Sequence, residues 1–314
     1  MTLTKINLEW FTVFENIDIK LSPGINIFIG ENGTGKTHLL KVAHAACNIT
    51  KTKANFGDTL AYVFFPHSPR INQLIHQTNK GIYTNIKIQR EDTELQSSFN
   101  GHIKEPHLVH VTNSVAWMAK EIKSVYISAY QYSPFDYPCK DNLLNPLKHR
   151  PRRLLHIIRE DIQGDIIYKE GTFFLINKEK ELEFALLAGG TRKLGLLWVF
   201  IQRGILTNGS VLFWDEPEAS LSPRRIGTLV KVLLELQRMG VQILLATHSY
   251  VLLKEFDLQM KGNDQVRFHT LYYKDGRVQH QSTEEFLAIY PNAIADAFLE
   301  LYNRDVSRAL SISP

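Results

Sequence analysis

The chain has 314 residues, a formal net charge of +4, and 44% hydrophobic and 22% charged residues, the balance of an ordinary globular protein. No apolar run approaches the ~20 residues of a membrane span, and the N-terminus lacks the basic-then-apolar order of a signal peptide. Cys47 and Cys139 lie far apart without metal-ligand spacing and read as reduced thiols, so the expectation is a cytoplasmic protein without membrane contact.

Residues 3 to 21 alternate as two short strands and pass through the turn Ser22-Pro23-Gly24 into an apolar strand, Ile25-Asn26-Ile27-Phe28-Ile29. Phe11 and Phe14 have two readings, core packing or a stacking face for adenine. The strand leads into Gly30-Glu31-Asn32-Gly33-Thr34-Gly35-Lys36-Thr37, the G-x-x-x-x-G-K-T pattern, and then into a helical run from His38 to Ala46. Strand, glycine loop and helix suit a triphosphate. The glycines let backbone N–H groups turn inward as a nest, and the helix N-terminus adds its positive dipole end. Lys36 would reach the β- and γ-phosphates and the Thr37 hydroxyl would ligate Mg²⁺. Glu31 to His38 are the candidate residues around the nucleotide.

Residues 51 to 58 read as a polar loop, Leu60 to Phe65 as a strand ending at Pro66, and Ile71 to Gln77 as a short helix. Alternating segments at 83–88, 108–111 and 125–128 predict an antiparallel sheet in the middle third. His102, His107 and His110 lack partners with metal-ligand spacing and read as surface histidines. From Asn142 to Ile158 the pattern is helical, broken by Pro146 and Pro151. Lys148 to Arg153 within it is either a solvated helix face or a phosphate grip. A hairpin, Ile166–Tyr168 against Thr172–Ile176, turns at Glu170-Gly171.

Val211 to Pro217 is an apolar strand that ends in Asp215 and Glu216. An acid at the carboxyl end of a strand beside a P-loop is placed to hold Mg²⁺, and the carboxylate after it to orient and deprotonate water. A further strand, Val241 to Ala246, ends in Thr247-His248-Ser249, where His248 would contact the γ-phosphate. Lys36, Glu216 and His248 are therefore the candidate catalytic residues.

These segments together resemble ABC-type ATPases, above all the RecF/SMC/OLD-like branch, small AAA-type ATP-binding proteins found in bacterial repair and anti-phage systems. The branch reads D-E-P-E-x-x-L-H-P, and Asp215 to Pro223 differs in having Ser222 where histidine is usual. The resemblance covers about residues 1 to 300 and is loosest from 50 to 180. It implies an α/β ABC-ATPase head with an antiparallel β insertion and a helical lobe. The 1–314 chain would be one domain, with 1–50 and 205–314 as nucleotide-binding core and 51–204 as the second lobe.

The resemblance identifies Leu187-Ala188-Gly189-Gly190-Thr191-Arg192-Lys193 as the signature loop, which in the family caps the γ-phosphate of the opposite subunit. Gly189, Gly190 and Arg192 would thus act on a second copy, with Lys193 the alternative to Arg192 as the charge that does so. Ala188 departs from the family's serine. Gln131, after Val125 to Tyr130, is the candidate glutamine-loop ligand of Mg²⁺, and Ser220 and Leu221 would communicate across the dimer. The expected function is an ATP-hydrolysing dimeric switch in a DNA-repair or anti-phage complex, with ATP and Mg²⁺, a head-to-tail second copy, a separate effector chain and duplex DNA as a candidate partner. The separate effector is expected because the sequence stops soon after His248. The alternatives are an ATP-dependent scaffold that sequesters a toxin and a transporter-type nucleotide-binding subunit.

Overall fold

A computed structural model describes residues 2–65, 70–77, 83–129, 151–178 and 180–311. The chain begins with β1 (Leu3–Phe11), β2 (Phe14–Lys20) and β3 (Ile25–Gly30), followed by α1 (Lys36–Thr52) and α2 (Phe56–Phe64). Strands β4 (Thr84–Arg90), β5 (Thr93–Phe99) and β6 (His110–Thr112) lead to the short α3 (Ser114–Met118) and β7 (Ser124–Ile127). Next come α4 (Arg152–Ile162), β8 (Asp165–Lys169), β9 (Thr172–Ile176), β10 (Glu181–Glu183) and α5 (Gly189–Gln202). The final third is β11 (Val211–Asp215), α6 (Pro223–Arg238), β12 (Gln242–Thr247), α7 (Tyr250–Gln259), β13 (Val266–Lys274), β14 (Arg277–Thr283) and α8 (Ala293–Ser311).

The central sheet has the order β14-β13-β3-β12-β11-β7. All its neighbours pair in parallel except the edge pair β13–β14. Strands buried on both faces read as unbroken apolar runs, and β3 and β12 are buried at every position. Their alternation divides two cores. Ile25, Ile27, Ile29, Leu212, Trp214, Ile243 and Leu245 face helices α4 to α7. Phe28, Val211, Phe213, Leu244 and Ala246 face α1 and a second sheet, β2-β1-β4-β5-β6, which is antiparallel throughout.

Several expectations change in this frame. Strands β1 and β2 lie in one sheet with the middle-third strands, where β1 pairs with β2 on one side and with β4 on the other. Conversely β7, read with the antiparallel segments, joins the central sheet in parallel with β11. The segment Leu60 to Phe65 lies largely in a helix, α2, because the Asn55 side chain caps its start by accepting from the Gly57 and Asp58 amides. Phe56, Leu60 and Ala61 then share its buried face. The hairpin β8–β9 forms as expected, with Lys169 opposite Thr172. His102, His107 and His110 are exposed, and His107 pairs with Glu105 at 3.3 Å.

One buried polar network joins the two sheets and another ties strands within the central sheet. The fully buried Gln242 side chain accepts from the Leu3 amide and donates to the Leu3 and Ser22 carbonyls, each at 2.8 Å. Between β3, β13 and β14, His269 Nε2 lies 3.1 Å from Asn26 Oδ1, and His269 Nδ1 lies 3.1 Å from His280 Nε2. The contact to an amide oxygen makes His269 Nε2 the donor, so His280 donates to His269 Nδ1 and both rings are neutral.

The fully buried His269 and three half-buried histidines, His38, His44 and His280, set a pH dependence. Burial pushes His38, His44 and His280 down to about 4 from an ordinary 6.5, and His269 well below it. The unfolded chain takes up protons at these rings below 6.5 and the folded chain does not. Their contribution is therefore fully present above 6.5 and is lost as pH falls toward about 4. The melting temperature should drop on going from about pH 7 to about pH 5. His44→Phe should reduce that drop, because it removes a half-buried ring whose buried Nδ1 has no hydrogen-bond partner and which packs on Tyr126 and Phe213. A melting temperature indifferent to pH across this range contradicts the assignment.

Candidate functional site

The parallel register sets the level of every candidate residue. Thr247 is opposite Ile29, Ala246 is opposite both Phe28 and Asp215, and Leu271 is opposite Gly30. The carboxyl ends of β3, β11 and β12 therefore stop side by side, and the residues just past them share one crevice.

The glycine loop turns between β3 and α1. Gly35 has φ +92°, and a Cβ there would lie 2.3 Å from the Phe14 ring and 2.7 Å from Val13 Cγ2. The β1–β2 turn thus presses directly on the loop, and only glycine fits. Phe11 and Phe14 are fully buried, so neither offers a face to adenine and both are core residues. Lys36 Nζ donates to the carbonyls of Gly30 and Glu31 at 2.7 and 2.8 Å. Burial lowers the Lys36 ammonium from its ordinary 10.5, against the opposing charges of Asp215, Glu216, Glu218 and Glu31. Thr34 donates to the Glu31 carbonyl at 2.8 Å, while Glu31, Asn32 and Gly33 are exposed at the rim. His38 faces inward, its Nδ1 3.0 Å from Thr12 Oγ1 and its ring against Phe64.

Across the crevice the Thr37 hydroxyl donates to Asp215 Oδ2 at 2.8 Å. Burial raises the Asp215 carboxyl, and the Thr37 hydrogen bond and the charges of Lys36 and Lys41 oppose the rise. Adjacent hydroxyl and carboxylate oxygens beside a glycine cradle fit a Mg²⁺–triphosphate, since Mg²⁺ uses few protein ligands and keeps several waters. Gln131, the third expected ligand, lies outside the described residues.

Glu216 leaves the strand in the left-handed region, φ +48°, directly before Pro217. That conformation is costly for a non-glycine residue and persists only where its surroundings enforce it. Its Oε1 lies 3.5 Å from His248 Nδ1, so the two residues expected to handle water and γ-phosphate meet. Glu218 accepts from Thr247 Oγ1 at 2.6 Å, and burial raises its carboxyl from the ordinary 4.5. Thr247 in turn accepts from the Ser249 amide, and Ser249 caps α7 by accepting from Leu252.

The Gly189-Gly190 turn starts α5, and the N-cap residue Ala188 makes no side-chain bond there. The close neighbours are Ser220 for Gly189 and Ser220, Leu221 and Arg225 for Gly190, not the glycine loop of the same chain. Arg192 is half-buried. Lys193 is fully buried and turns into its own chain, where Nζ donates to the Glu216 and Pro217 carbonyls at 2.9 and 3.2 Å. The expected role of Lys193 across a dimer is therefore corrected. An exposed cation would be needed for it, and this one is consumed at home. Of the basic cluster, Arg152 and Arg153 open α4, with Arg153 3.6 Å from Glu235, and the residues before Pro151 lie outside the described set.

Sequence reasoning missed three further contributors. Tyr273 Oη donates to the Gly33 carbonyl at 3.1 Å from a strand whose sequence gives no hint of it. Thr12 reaches His38 from the β1–β2 turn. Arg225 donates to Thr191 Oγ1 at 2.8 Å while its Nε lies 2.9 Å from Asp161, tying α6 to α5 and α4. The last was foreshadowed by the arginines after Ser222-Pro223.

Comparison with known proteins bears on the family and the fold. Residues 25–254 match the family described as "AAA domain, putative AbiEii toxin, Type IV TA system". The DNA replication and repair protein RecF of Streptococcus thermophilus (strain ATCC BAA-491 / LMD-9) is 25% identical over 91 residues, 29% of this chain and 25% of that protein. RecF of Enterobacter sp. (strain 638) is 43% identical over 44 residues, 14% of this chain and 12% of that protein. The matched stretches thus span a quarter or less of these relatives. An SMC head solved with the C-winged helix domain of ScpA superposes with TM-score 0.61 at 13% identity, over 90% of this chain and 98% of that one. The SMC head domain from Thermotoga maritima gives TM-score 0.54 at 15% identity, over 90% and 100%. At these identities the likeness is one of fold, and the fold is that of an SMC-type ATPase head. Among the described residues, no helix is long and apolar enough to cross a membrane.

Replacing Lys36 by alanine should abolish binding of a fluorescent ATP analogue while the melting temperature changes little, because the ammonium contacts only loop carbonyls. Retained affinity in Lys36→Ala contradicts the placement of the phosphates.

Proposed function

The chain belongs to the AAA-domain family matched over residues 25–254, and from that membership and the crevice geometry we propose that it binds and hydrolyses ATP as a nucleotide-dependent dimer. The observation that carries the reading is the contact of Thr37 with Asp215 at the level where Glu216 meets His248. A Mg²⁺ donor pair and a carboxylate–imidazole pair on adjacent strand ends are what in-line attack on a γ-phosphate needs.

In this reading the glycine-loop amides from Gly33 to Thr37 and the Lys36 ammonium hold the β- and γ-phosphates, exchanging the loop carbonyls for phosphate oxygens. Thr37 and Asp215 would hold Mg²⁺, which would supply positive charge against that of the phosphates. Glu216 orients a water and accepts its proton as the water oxygen bonds to the γ-phosphorus and the bond to the β-bridging oxygen breaks, giving ADP and phosphate. His248 steadies the Glu216 carboxylate and touches the γ-phosphate. Gly189 and Gly190 at the start of α5, with Arg192 beside them, supply donors to the nucleotide of a second copy, so each site is complete only in a head-to-tail pair.

The toxin–antitoxin context in the family description and the repair role in the RecF name support a separate protein effector that reads the nucleotide state. Arg152, exposed at the start of α4, supports contact with a phosphate backbone in the same complex.

Glu216→Gln keeps the side chain's size and removes the base. Turnover should fall about 100-fold or more with ATP binding retained, and an ATP-bound dimer should accumulate by light scattering. A variant that hydrolyses ATP at the wild-type rate contradicts the role of Glu216, and one that stays monomeric with ATP counts against the dimer.

A further inference from the structure

Lys193 is the best-buried cation of the described chain, with none of its surface exposed. Taking an ammonium out of water costs several kcal/mol unless hydrogen bonds replace its hydration. Here Nζ donates to two successive backbone carbonyls, Glu216 at 2.9 Å and Pro217 at 3.2 Å. Those carbonyls belong to the turn in which Glu216 is held at φ +48°. Burial lowers the Lys193 ammonium to about 8, and the nearby Glu218 and Glu216 carboxylates oppose the fall.

The lysine is the fifth residue of α5, three residues after Gly190 and just past the first turn. That turn is fastened on other sides as well. A Cβ on Gly190 would lie 3.0 Å from the Ser220 carbonyl and 3.1 Å from Leu221, and a Cβ on Gly189 would lie 3.1 Å from Ser220 Cβ. Ser220 itself has φ +66°. Arg225 holds Thr191 Oγ1 from α6. The glycine pair, the segment from Glu216 to Leu221 and the start of α6 are thereby one packed unit inside a single chain.

We propose that Lys193 is a positioning residue that locks the turn of Glu216 to helix α5, so that contact of Gly189 and Gly190 with a neighbouring copy's nucleotide is transmitted to this copy's own Glu216. The proposal rests on the dimeric ATPase reading above. The direction of coupling follows from the connectivity. The glycines face the neighbour's phosphate, Lys193 joins them through α5 to the Glu216 carbonyl, and the Glu216 carboxylate serves the nucleotide of its own glycine loop. Movement of α5 by the length of one hydrogen bond would shift the carboxylate relative to the attacking water, and catalysis is sensitive to displacements of that size.

The test compares ATP-concentration curves for wild type, Lys193→Met and Lys193→Arg, with melting temperature and ATP affinity measured alongside. Methionine fills the volume without donors, and replacing a buried ion by an apolar side chain is often neutral for stability. The expected result is a Hill coefficient that falls from near 2 in wild type to near 1 in Lys193→Met. The accompanying kcat falls about tenfold with little change in ATP affinity, and Lys193→Arg recovers part of both. Should the methionine variant fail to fold, Lys193→Gln, which reaches at most one of the two carbonyls, is read in the same way. Wild-type kcat and cooperativity in a folded Met or Gln variant overturn the coupling and leave the ATPase reading intact. A wild type that binds ATP without turning it over overturns both.

Discussion

The constraint on which the site depends is the register of three parallel strands. With Asp215 opposite Ala246 and Thr247 opposite Ile29, the ends of β11, β12 and β3 come level. Only then do the donors and carboxylates just beyond each strand meet, Thr37 with Asp215 and His248 with Glu216. A one-residue slip in any of these pairings would exchange the faces of a strand buried on both sides, moving Phe28 or Phe213 into the other core. The packing of two cores therefore enforces the alignment of the chemistry.

The antiparallel sheet supports the glycine loop from beneath. Its β1–β2 turn brings Phe14 and Val13 into the space a Gly35 side chain would occupy. Gln242 anchors the start of β1 to β12 by two hydrogen bonds and the β2–β3 turn by a third, to the Ser22 carbonyl. Such fully satisfied buried polar groups fix one arrangement of the sheets more strictly than apolar packing alone. Movement of the antiparallel sheet against the central one would disturb the floor of the phosphate cradle.

Much of this was legible in the chain. The glycine loop, the strand ending in Asp215 and Glu216, and the strand ending in Thr247 carry short patterns whose chemistry is local, and the structure brings them together. The middle third was harder because its short apolar runs suit a strand or a buried helix equally. At Leu60 to Phe65 the deciding signal was the Asn55 cap upstream of the run. Assignment of β7 to the central sheet depends on a long-range parallel partner, Phe213 opposite Tyr126, which periodicity cannot announce. Lys193 illustrates the same limit. A lysine after a glycine pair reads as a phosphate contact, whereas its direction is set by the fold of Glu216 and Pro217 far along the sequence.

The strained turn at Glu216 links packing to function. A left-handed residue before proline is held by groups that the dimer reading also calls upon, His248 at its carboxylate and Lys193 at its carbonyl. In that reading an isolated copy lacks the donors that a neighbour's Gly189 and Gly190 bring to its nucleotide. The most direct test is the ATP turnover per protein molecule, measured over a dilution series that spans the monomer–dimer transition seen by light scattering. The account predicts that turnover per molecule rises with protein concentration and levels off as dimers saturate. Equal turnover per molecule in monomers and dimers would contradict it.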